Sequence, residues 1–91
     1  MSDVSERRVT VINKLGLHAR PAAEFVKTAS KFDAEIKLSK NTMEVNGKSI
    51  LGVMTLAAEC GSELVVRAEG TDAEAAVVAL AEVLGRDFGN I

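Results

Sequence analysis

Residues 9–38 read VTVINKLGLHARPAAEFVKTASKFDAEIKL, and this stretch decides the fold. Its β-branched start predicts a strand over residues 8–13. Apolar residues then recur at helical spacing, which predicts one buried stripe on a helix over residues 19–32. That stripe consists of Ala22, Phe25, Val26, Ala29 and Phe32. From residue 34 to residue 38 apolar and charged residues alternate, so the stretch predicts a strand–helix–strand unit whose second strand has one buried face.

The middle of the chain predicts a hairpin, a short helix and a fourth strand. Residues 42–46 alternate in the same way and end at Asn46-Gly47, a dipeptide that commonly terminates strands. Ser49 is a favourable N-cap for a short helix over residues 50–58. Residues 63–69 alternate again and predict the fourth strand.

The last helix has the clearest start in the sequence. Thr71 and Glu74 match a capping box, and Asp72 adds negative charge near the helix start. The apolar stripe predicted for this helix consists of Ala73, Ala76, Val77, Leu80, Ala81 and Leu84. Gly85 is a natural C-cap, and the tail over residues 86–91 is expected to fray.

The order βαββαβα predicts an α/β two-layer open-faced sandwich. Each strand has one apolar face that needs a cover, and three amphipathic helices on the same side supply it. The opposite face of the sheet is then open to water. Ninety-one residues leave no room for two hydrophobic cores, so residues 1–91 are expected to form a single domain with a core over about residues 7–86 and flexible ends.

Composition and charge exclude two classes of partner. Three Phe residues, with no Trp and no Tyr, argue against stacking of single-stranded nucleic acid on aromatic side chains. Eleven basic residues against thirteen acidic ones leave a net charge of −2 and no basic stripe for nucleic acid. The longest apolar stretch, residues 50–58, is too short to insert into a membrane. We therefore expect a protein that binds no nucleic acid and inserts into no membrane. Because little apolar surface is expected outside one patch, we also expect a monomer.

The single cysteine bears on compartment and on metal binding. With one Cys and one His, the chain can form neither an intrachain disulfide nor a tetrahedral zinc site, so we expect no metal and no cofactor. The first residues, MSDVSERRV, lack the features of a signal peptide, which favours a cytoplasmic protein. Cys60 itself is expected to be a small buried hydrophobe at a helix end.

The histidine of this chain stands at the predicted start of the first helix. In the run Gly16-Leu17-His18-Ala19-Arg20-Pro21, the proline suits the first turn, where its missing N–H costs nothing. A helix N-terminus attracts phosphate through unpaired N–H groups, and an imidazole is a competent nucleophile near neutral pH. Arg20 could add a planar fork of donors for the same oxygens. The pattern indicates a phosphoryl acceptor, although a His18 that merely caps the helix beside a solvated Arg20 fits the spacing as well.

Ser49 also allows two interpretations. It is a helix N-cap, and it stands where a phosphoserine would meet the helix N-terminus favourably and change the charge of the surface. The sheet-facing side of the following helix is expected to consist of Val53, Leu56 and Ala57. The apolar side chains left over are Ile50, Leu51 and Met54. These three form either an exposed docking patch or a further part of the core.

Two stretches of the sequence resemble those of one protein family. Residues 16–22, GLHARPA, resemble the active-site signature of the HPr family, the histidine-containing phosphocarriers of the bacterial phosphotransferase system. Residues 48–54, KSILGVM, resemble the regulatory-serine segment of the same family. The two stretches occur at the separation expected for the family, and the βαββαβα order agrees over about residues 7–86. The resemblance therefore covers nearly the whole chain.

The resemblance implies a four-stranded antiparallel sheet of order 1-4-2-3 and a carrier that is not an enzyme. His18 would accept a phosphoryl group on Nδ1 from phospho-enzyme I, itself charged by phosphoenolpyruvate, and pass it to a IIA domain. Arg20 would stabilise the phosphate beside the helix N-terminus at Ala19 and Pro21. Ser49 would be a target of HPr kinase/phosphorylase. The implied partner-binding residues are Leu17, Ile50, Leu51 and Met54.

The sequence alone leaves alternatives to the hypothesis of an HPr-type carrier open. The nitrogen-related NPr branch of the family shares the histidine and the fold, with a mainly regulatory output. A metabolite-binding domain of ferredoxin-like shape, or a scaffolding protein that uses the apolar patch, would leave residues 16–21 unexplained. The turn over residues 39–42 lacks the Asn-Gly-Lys run common in relatives, which bears on contacts with the serine kinase. Retention of His18 argues against the catabolite-repression paralogue, in which the histidine is replaced.

Overall fold

This computed structural model describes residues 3–86, which form four strands and three helices. They are β1 (Val4–Thr10), α1 (Ala19–Ala29), β2 (Glu35–Lys40), β3 (Met43–Asn46), α2 (Ile50–Thr55), β4 (Glu63–Glu69) and α3 (Ala73–Leu84). This order confirms the predicted βαββαβα arrangement. The predicted fraying of the C-terminal tail concerns residues that lie, apart from Arg86, outside the described part.

The strands form one antiparallel sheet in the order β1-β4-β2-β3, as the family resemblance implied. Within this sheet β4 is central, because its Val66 lies opposite Arg7 of β1 on one side and Leu38 of β2 on the other. Residues of β4 are buried at alternate positions, whereas every residue of the edge strand β1 is exposed or half-buried. The sheet therefore has one face in the core and one face open to water.

The helices cover the buried face of the sheet. Phe25 of α1, Val53 of α2 and Leu80 of α3 are each 0% exposed and belong to one cluster with the buried strand residues. Burial of such a side chain stabilises the folded state by roughly 1.5–3 kcal/mol relative to an exposed side chain. This packing matters most for α2, since a helix of six residues would not form alone. The predicted stripe of α3 is largely confirmed, with Val83 buried and Ala81 only half-buried.

Three elements differ most from the sequence prediction in their bounds. The first strand spans Val4–Thr10 rather than residues 8–13, because its pairing with β4 runs from Val4 to Thr10. Helix α1 ends at Ala29, and the Phe32 N–H then bonds to the Ala29 carbonyl at 3.2 Å in a tighter turn. Helix α2 ends at Thr55 rather than at residue 58, because Ala57 adopts a positive φ of 49°, which a right-handed helix does not allow.

The start of α3 also differs from the prediction. Asp72 rather than Thr71 is the N-cap residue, and its side chain makes no cap hydrogen bond, so the predicted capping box is wrong. The carboxylate instead accepts the backbone N–H groups of Asp33 and Ala34, each at 2.9 Å, and ties the α1–β2 connection to α3. The Asp33 N–H is the main cause of a pKa of Asp72 below the ordinary 3.8; desolvation opposes this lowering, while the Ala34 N–H and the charge of Lys48 support it.

Cys60 is exposed rather than buried, which corrects the expectation from the sequence. It lies in the connection between α2 and β4, where its Sγ is 3.7 Å from the carbonyl oxygen of Ile12. Because α2 already ends at Thr55, Cys60 is not at a helix end and has no helix face to pack.

Candidate functional site

His18 occupies the N-cap position of α1. Its backbone is extended, with φ −78° and ψ −170°, and its side chain makes no cap hydrogen bond, so His18 caps the helix by its position and not through its ring. The residue is half-buried, and its Nε2 atom is fully buried without a hydrogen-bond partner. Across residues 3–86 no other buried side-chain nitrogen or oxygen shares this condition. Of the two ring nitrogens, Nε2 is therefore the one that a partner cannot reach without rearrangement of the ring.

A tight turn brings His18 to the helix start. The Gly16 N–H donates to the Asn13 carbonyl at 2.9 Å, and Asn13 Nδ2 donates to the Gly16 carbonyl at 2.9 Å. The next N–H, that of Leu17, donates to the Ala58 carbonyl at 2.8 Å. The Gly16 carbonyl and the Leu17 N–H belong to one planar peptide unit, so this unit is held at both ends.

Gly16 and Leu17 fix the turn against the rest of the domain. Gly16 has a φ of +69°, and a Cβ added there would collide with the Ala58 carbonyl oxygen, so only glycine fits without strain. Leu17 is 6% exposed and lies in the hydrophobic core. The family resemblance placed Leu17 among the partner-binding residues; its side chain is buried and holds the turn, and a part in partner binding stays a prediction.

Asn13 is the site residue that sequence reasoning missed. Its side chain is 2% exposed, and within residues 3–86 no other polar or charged residue is buried in this way. The sequence had placed Asn13 at the end of a strand. The signal that could have found it is the spacing of Asn13 and Gly16, because Asn side chains commonly bond to nearby backbone groups in turns.

The first turn of α1 is a favourable place for an anion. Its first helical hydrogen bond runs from the Ala22 N–H to the His18 carbonyl at 3.0 Å, so the residues before Ala22 form the N-terminal end of the helix, where backbone N–H groups favour negative charge. Pro21 is buried and has no N–H to satisfy. This turn carries no acidic side chain that would neutralise the helix dipole. His18 thus stands at a helix N-terminus, two residues before the exposed residue Arg20.

Ser49 caps α2, as the sequence predicted. Its backbone is extended, with φ −115° and ψ 116°, and its Oγ accepts the N–H of Gly52 at 3.1 Å. The residue is half-buried. A phosphoryl group on Oγ would thus stand at the first turn of α2, where backbone N–H groups favour negative charge.

An exposed apolar patch lies on α2. Ile50 and Met54 are each 41% exposed and Leu51 is 77% exposed, so these three side chains are not core residues. We call them the α2 patch. Ala57, which was expected to face the sheet, is exposed because its positive φ turns the chain away after the helix. The buried side of the segment consists of Val53 and Leu56, as predicted.

Several charged side chains on the surface lie close to a side chain of opposite charge. On the open sheet face, Arg8 lies 3.7 Å from Glu63 and Arg67 lies 3.8 Å from Glu6. Within residues 3–86, no three His, Cys, Asp or Glu side chains are grouped so that they could hold a metal ion. None of the helices in that range is long and apolar enough to cross a membrane.

The comparisons with known proteins agree on one family. A family model described as PTS HPr component phosphorylation site matches residues 5–86. The phosphocarrier protein HPr of Treponema pallidum is 49% identical over 82 residues, which is 90% of this chain and 93% of that protein. The HPr of Xylella fastidiosa strain Temecula1 is 49% identical over 83 residues, 91% of this chain and 93% of that protein. A crystal structure of HPr from Bacillus anthracis matches with a TM-score of 0.85 at 47% identity, covering 89% of this chain and 96% of that one.

Proposed function

The chain belongs to the PTS HPr family of phosphocarrier proteins, and from this premise we propose that it carries its phosphoryl group on Nδ1 of His18. The group would come from phospho-enzyme I, which phosphoenolpyruvate charges, and would pass to a IIA domain of the phosphotransferase system. The observation that carries the proposal is the position of His18 at the start of α1 with its Nε2 buried, which favours Nδ1 as the reacting nitrogen. In this role the chain is a stoichiometric carrier, phosphorylated and regenerated in each cycle, and not an enzyme.

The transfer needs a neutral imidazole whose Nδ1 lone pair is free. In that tautomer the proton is on Nε2, the nitrogen that the fold buries. The lone pair attacks phosphorus and forms a P–N bond, while the bond from phosphorus to the donor breaks and its electron pair leaves with the donor. Passage to a IIA domain breaks the P–N bond at His18, and the electron pair returns to Nδ1.

The charge of the bound phosphoryl group would be met by groups of the first helical turn. Backbone N–H groups at the start of α1, before the first helical hydrogen bond at Ala22, are placed to donate to phosphoryl oxygens. The guanidinium of Arg20 supplies a planar pair of donors to the same oxygens. Because these donors are exposed or half-exposed, they stabilise the phosphate without enclosing it, which suits a group that must leave again.

Regulation at Ser49 is the second part of the proposal. HPr kinase/phosphorylase would transfer a phosphoryl group to Ser49 Oγ, the atom that now caps α2. The α2 patch begins at the next residue and is the proposed docking surface for enzyme I and IIA domains. A dianion beside Ile50 would have to lose water when an apolar partner surface docks, so phosphorylation of Ser49 should weaken docking.

Incubation with phosphoenolpyruvate and enzyme I, followed by measurement of intact mass at mildly alkaline pH, tests the carrier role. We expect one added phosphoryl group that is labile to acid and stable to alkali, and no added group in a folded His18→Ala. A group that persists in His18→Ala overturns the assignment to His18. If neither a sugar-branch nor a nitrogen-branch enzyme I phosphorylates the wild type, the carrier role itself is wrong. The faster of these two donors assigns the branch, including the NPr-type alternative.

A further inference from the structure

We infer that Asn13 is a positioning residue for phosphoryl transfer at His18, an inference that rests on the proposed function. The Asn13 side chain is 2% exposed, within a core that is otherwise apolar over the described residues. Burial of an amide costs free energy unless it is hydrogen-bonded, and here Nδ2 donates to the Gly16 carbonyl at 2.9 Å. The amide therefore stabilises one backbone geometry in the turn that leads to His18.

The side-chain amide of Asn13 holds the peptide unit between Gly16 and Leu17. A planar peptide rotates as one body, so holding the Gly16 carbonyl and the Leu17 N–H sets ψ of Gly16 and φ of Leu17 together. Gly16, at a φ of +69°, tolerates more than one orientation of this peptide, because glycine has no Cβ to restrict it. The orientation is thus fixed by the two hydrogen bonds, from Asn13 Nδ2 and to the Ala58 carbonyl.

The chain is also attached to the rest of the domain before and after the turn. Val11 pairs with the α2–β4 connection, because its N–H donates to the Ser62 carbonyl at 2.9 Å and its carbonyl accepts the Gly61 N–H at 2.8 Å. Upstream of the turn the chain is therefore held by Val11, and downstream Leu17 is held in the core. Between these two points, Asn13 supplies a side-chain contact to the Gly16 carbonyl.

Loss of the Asn13 amide should affect transfer more than docking. Phosphoryl transfer depends on alignment of the attacking atom, and a displacement of about 1 Å can cost 10²-fold in rate. The α2 patch lies on a different element, so the affinity for enzyme I should change little. The same loosening should shift the ring away from the donors of the first turn and shorten the lifetime of the phosphohistidine.

Steady-state transfer from phospho-enzyme I to Asn13→Ala tests the inference. We expect kcat to fall about tenfold with KM within about twofold of wild type, and the phosphohistidine to hydrolyse about threefold faster after enzyme I is removed. The matched control is Val77→Ala, which removes buried apolar volume from α3 and destabilises the domain away from the turn. Its kcat and its phosphohistidine lifetime should match those of the wild type.

Three results would overturn the inference. The first is a folded Asn13→Ala with wild-type kcat and phosphohistidine lifetime, and the second is an equal loss in Val77→Ala, which would assign the effect to stability alone. If Asn13→Ala does not fold, the smaller change Asn13→Ser takes its place. The third result is then a folded Asn13→Ser whose kcat and phosphohistidine lifetime equal those of the wild type. In each of these cases the wild type is phosphorylated, so the carrier role stands. A wild type that accepts no phosphoryl group would instead remove the carrier role and this inference together.

Discussion

The Leu17 N–H donates to the Ala58 carbonyl oxygen at 2.8 Å, which joins the turn before His18 to the loop that follows α2. At the other end of this segment, Ser49 caps the helix. The proposed phosphoryl site and the proposed regulatory site are therefore attached to the two ends of residues 49–58. The two sites therefore share one structural element, residues 49–58.

Replacement of Gly16 by alanine tests the contact with Ala58. A positive φ costs a residue with a Cβ roughly 1–3 kcal/mol, and at Gly16 the Cβ must also displace the Ala58 carbonyl. We expect Gly16→Ala to lower the free energy of unfolding by about 2–4 kcal/mol, measured by urea denaturation. Gly61 is a matched control, because its φ is +93° but a Cβ there would meet no atom within 4 Å. Equal losses in Gly16→Ala and Gly61→Ala would show that the backbone angle alone matters.

Replacement of Asp72 by asparagine should change how stability depends on pH. The pKa of Asp72 is lowered below 3.8, first by the Asp33 N–H, so the carboxylate stabilises the fold fully above pH 3.8. This contribution is lost as the pH falls through the still lower pKa of the folded state. We expect Asp72→Asn to be less stable than the wild type at neutral pH and the difference to shrink below pH 3.8.

Urea denaturation at neutral pH and at about pH 3 measures this difference. The control is Glu74→Gln, which removes an exposed negative charge from the same helix end and keeps both bonds of Asp72. If the free energies of unfolding of Asp72→Asn and the wild type differ by the same amount at both pH values, the carboxylate charge does not stabilise the α1–β2 connection.

The elements that the sequence predicted well are those that local pattern determines. Alternation in β4 gave its bounds, and Ser49 was predicted as an N-cap from its place before an apolar run. The start of β1 carries charged residues and little strand propensity, so its extent depends on pairing with β4 across the sheet. Thr71 and Glu74 matched a local capping box, but the N-cap is Asp72, whose carboxylate bonds to N–H groups 38 and 39 residues away. The burial of Asn13 is a tertiary contact of the same kind, which no short pattern contains.

Removal of the Arg20 side chain should slow transfer without unfolding the domain. Arg20 is exposed, so we expect Arg20→Ala to change the free energy of unfolding by less than about 0.5 kcal/mol. The rate of phosphorylation by enzyme I should fall about tenfold, because the guanidinium is proposed to stabilise the phosphoryl oxygens. Lys27→Ala removes a positive charge from the last turn of the same helix and should leave the rate near that of the wild type. A large loss of stability in Arg20→Ala would make this side chain structural.

Three substitutions of Ser49 separate its capping role from the effect of charge. Ser49→Ala removes the acceptor of the Gly52 N–H and should lower the free energy of unfolding by about 1 kcal/mol. Asparagine and aspartate both cap helices, so Ser49→Asn and Ser49→Asp should stay near wild-type stability. Only Ser49→Asp adds negative charge beside the α2 patch, and its KM in transfer from enzyme I should exceed that of Ser49→Asn. Equal KM values for these two variants would contradict control by charge.

Replacement of Leu51 by serine tests the α2 patch as a docking surface. Leu51 is 77% exposed, so Leu51→Ser should change the free energy of unfolding by less than about 0.5 kcal/mol. Loss of an exposed apolar side chain from a docking surface should raise KM for transfer from enzyme I by roughly tenfold. The value of kcat should change little, since the turn that holds His18 is untouched. Val78→Ser is the matched control, because Val78 is 46% exposed on α3 and lies outside the patch. If both variants raise KM equally, enzyme I does not select the α2 patch.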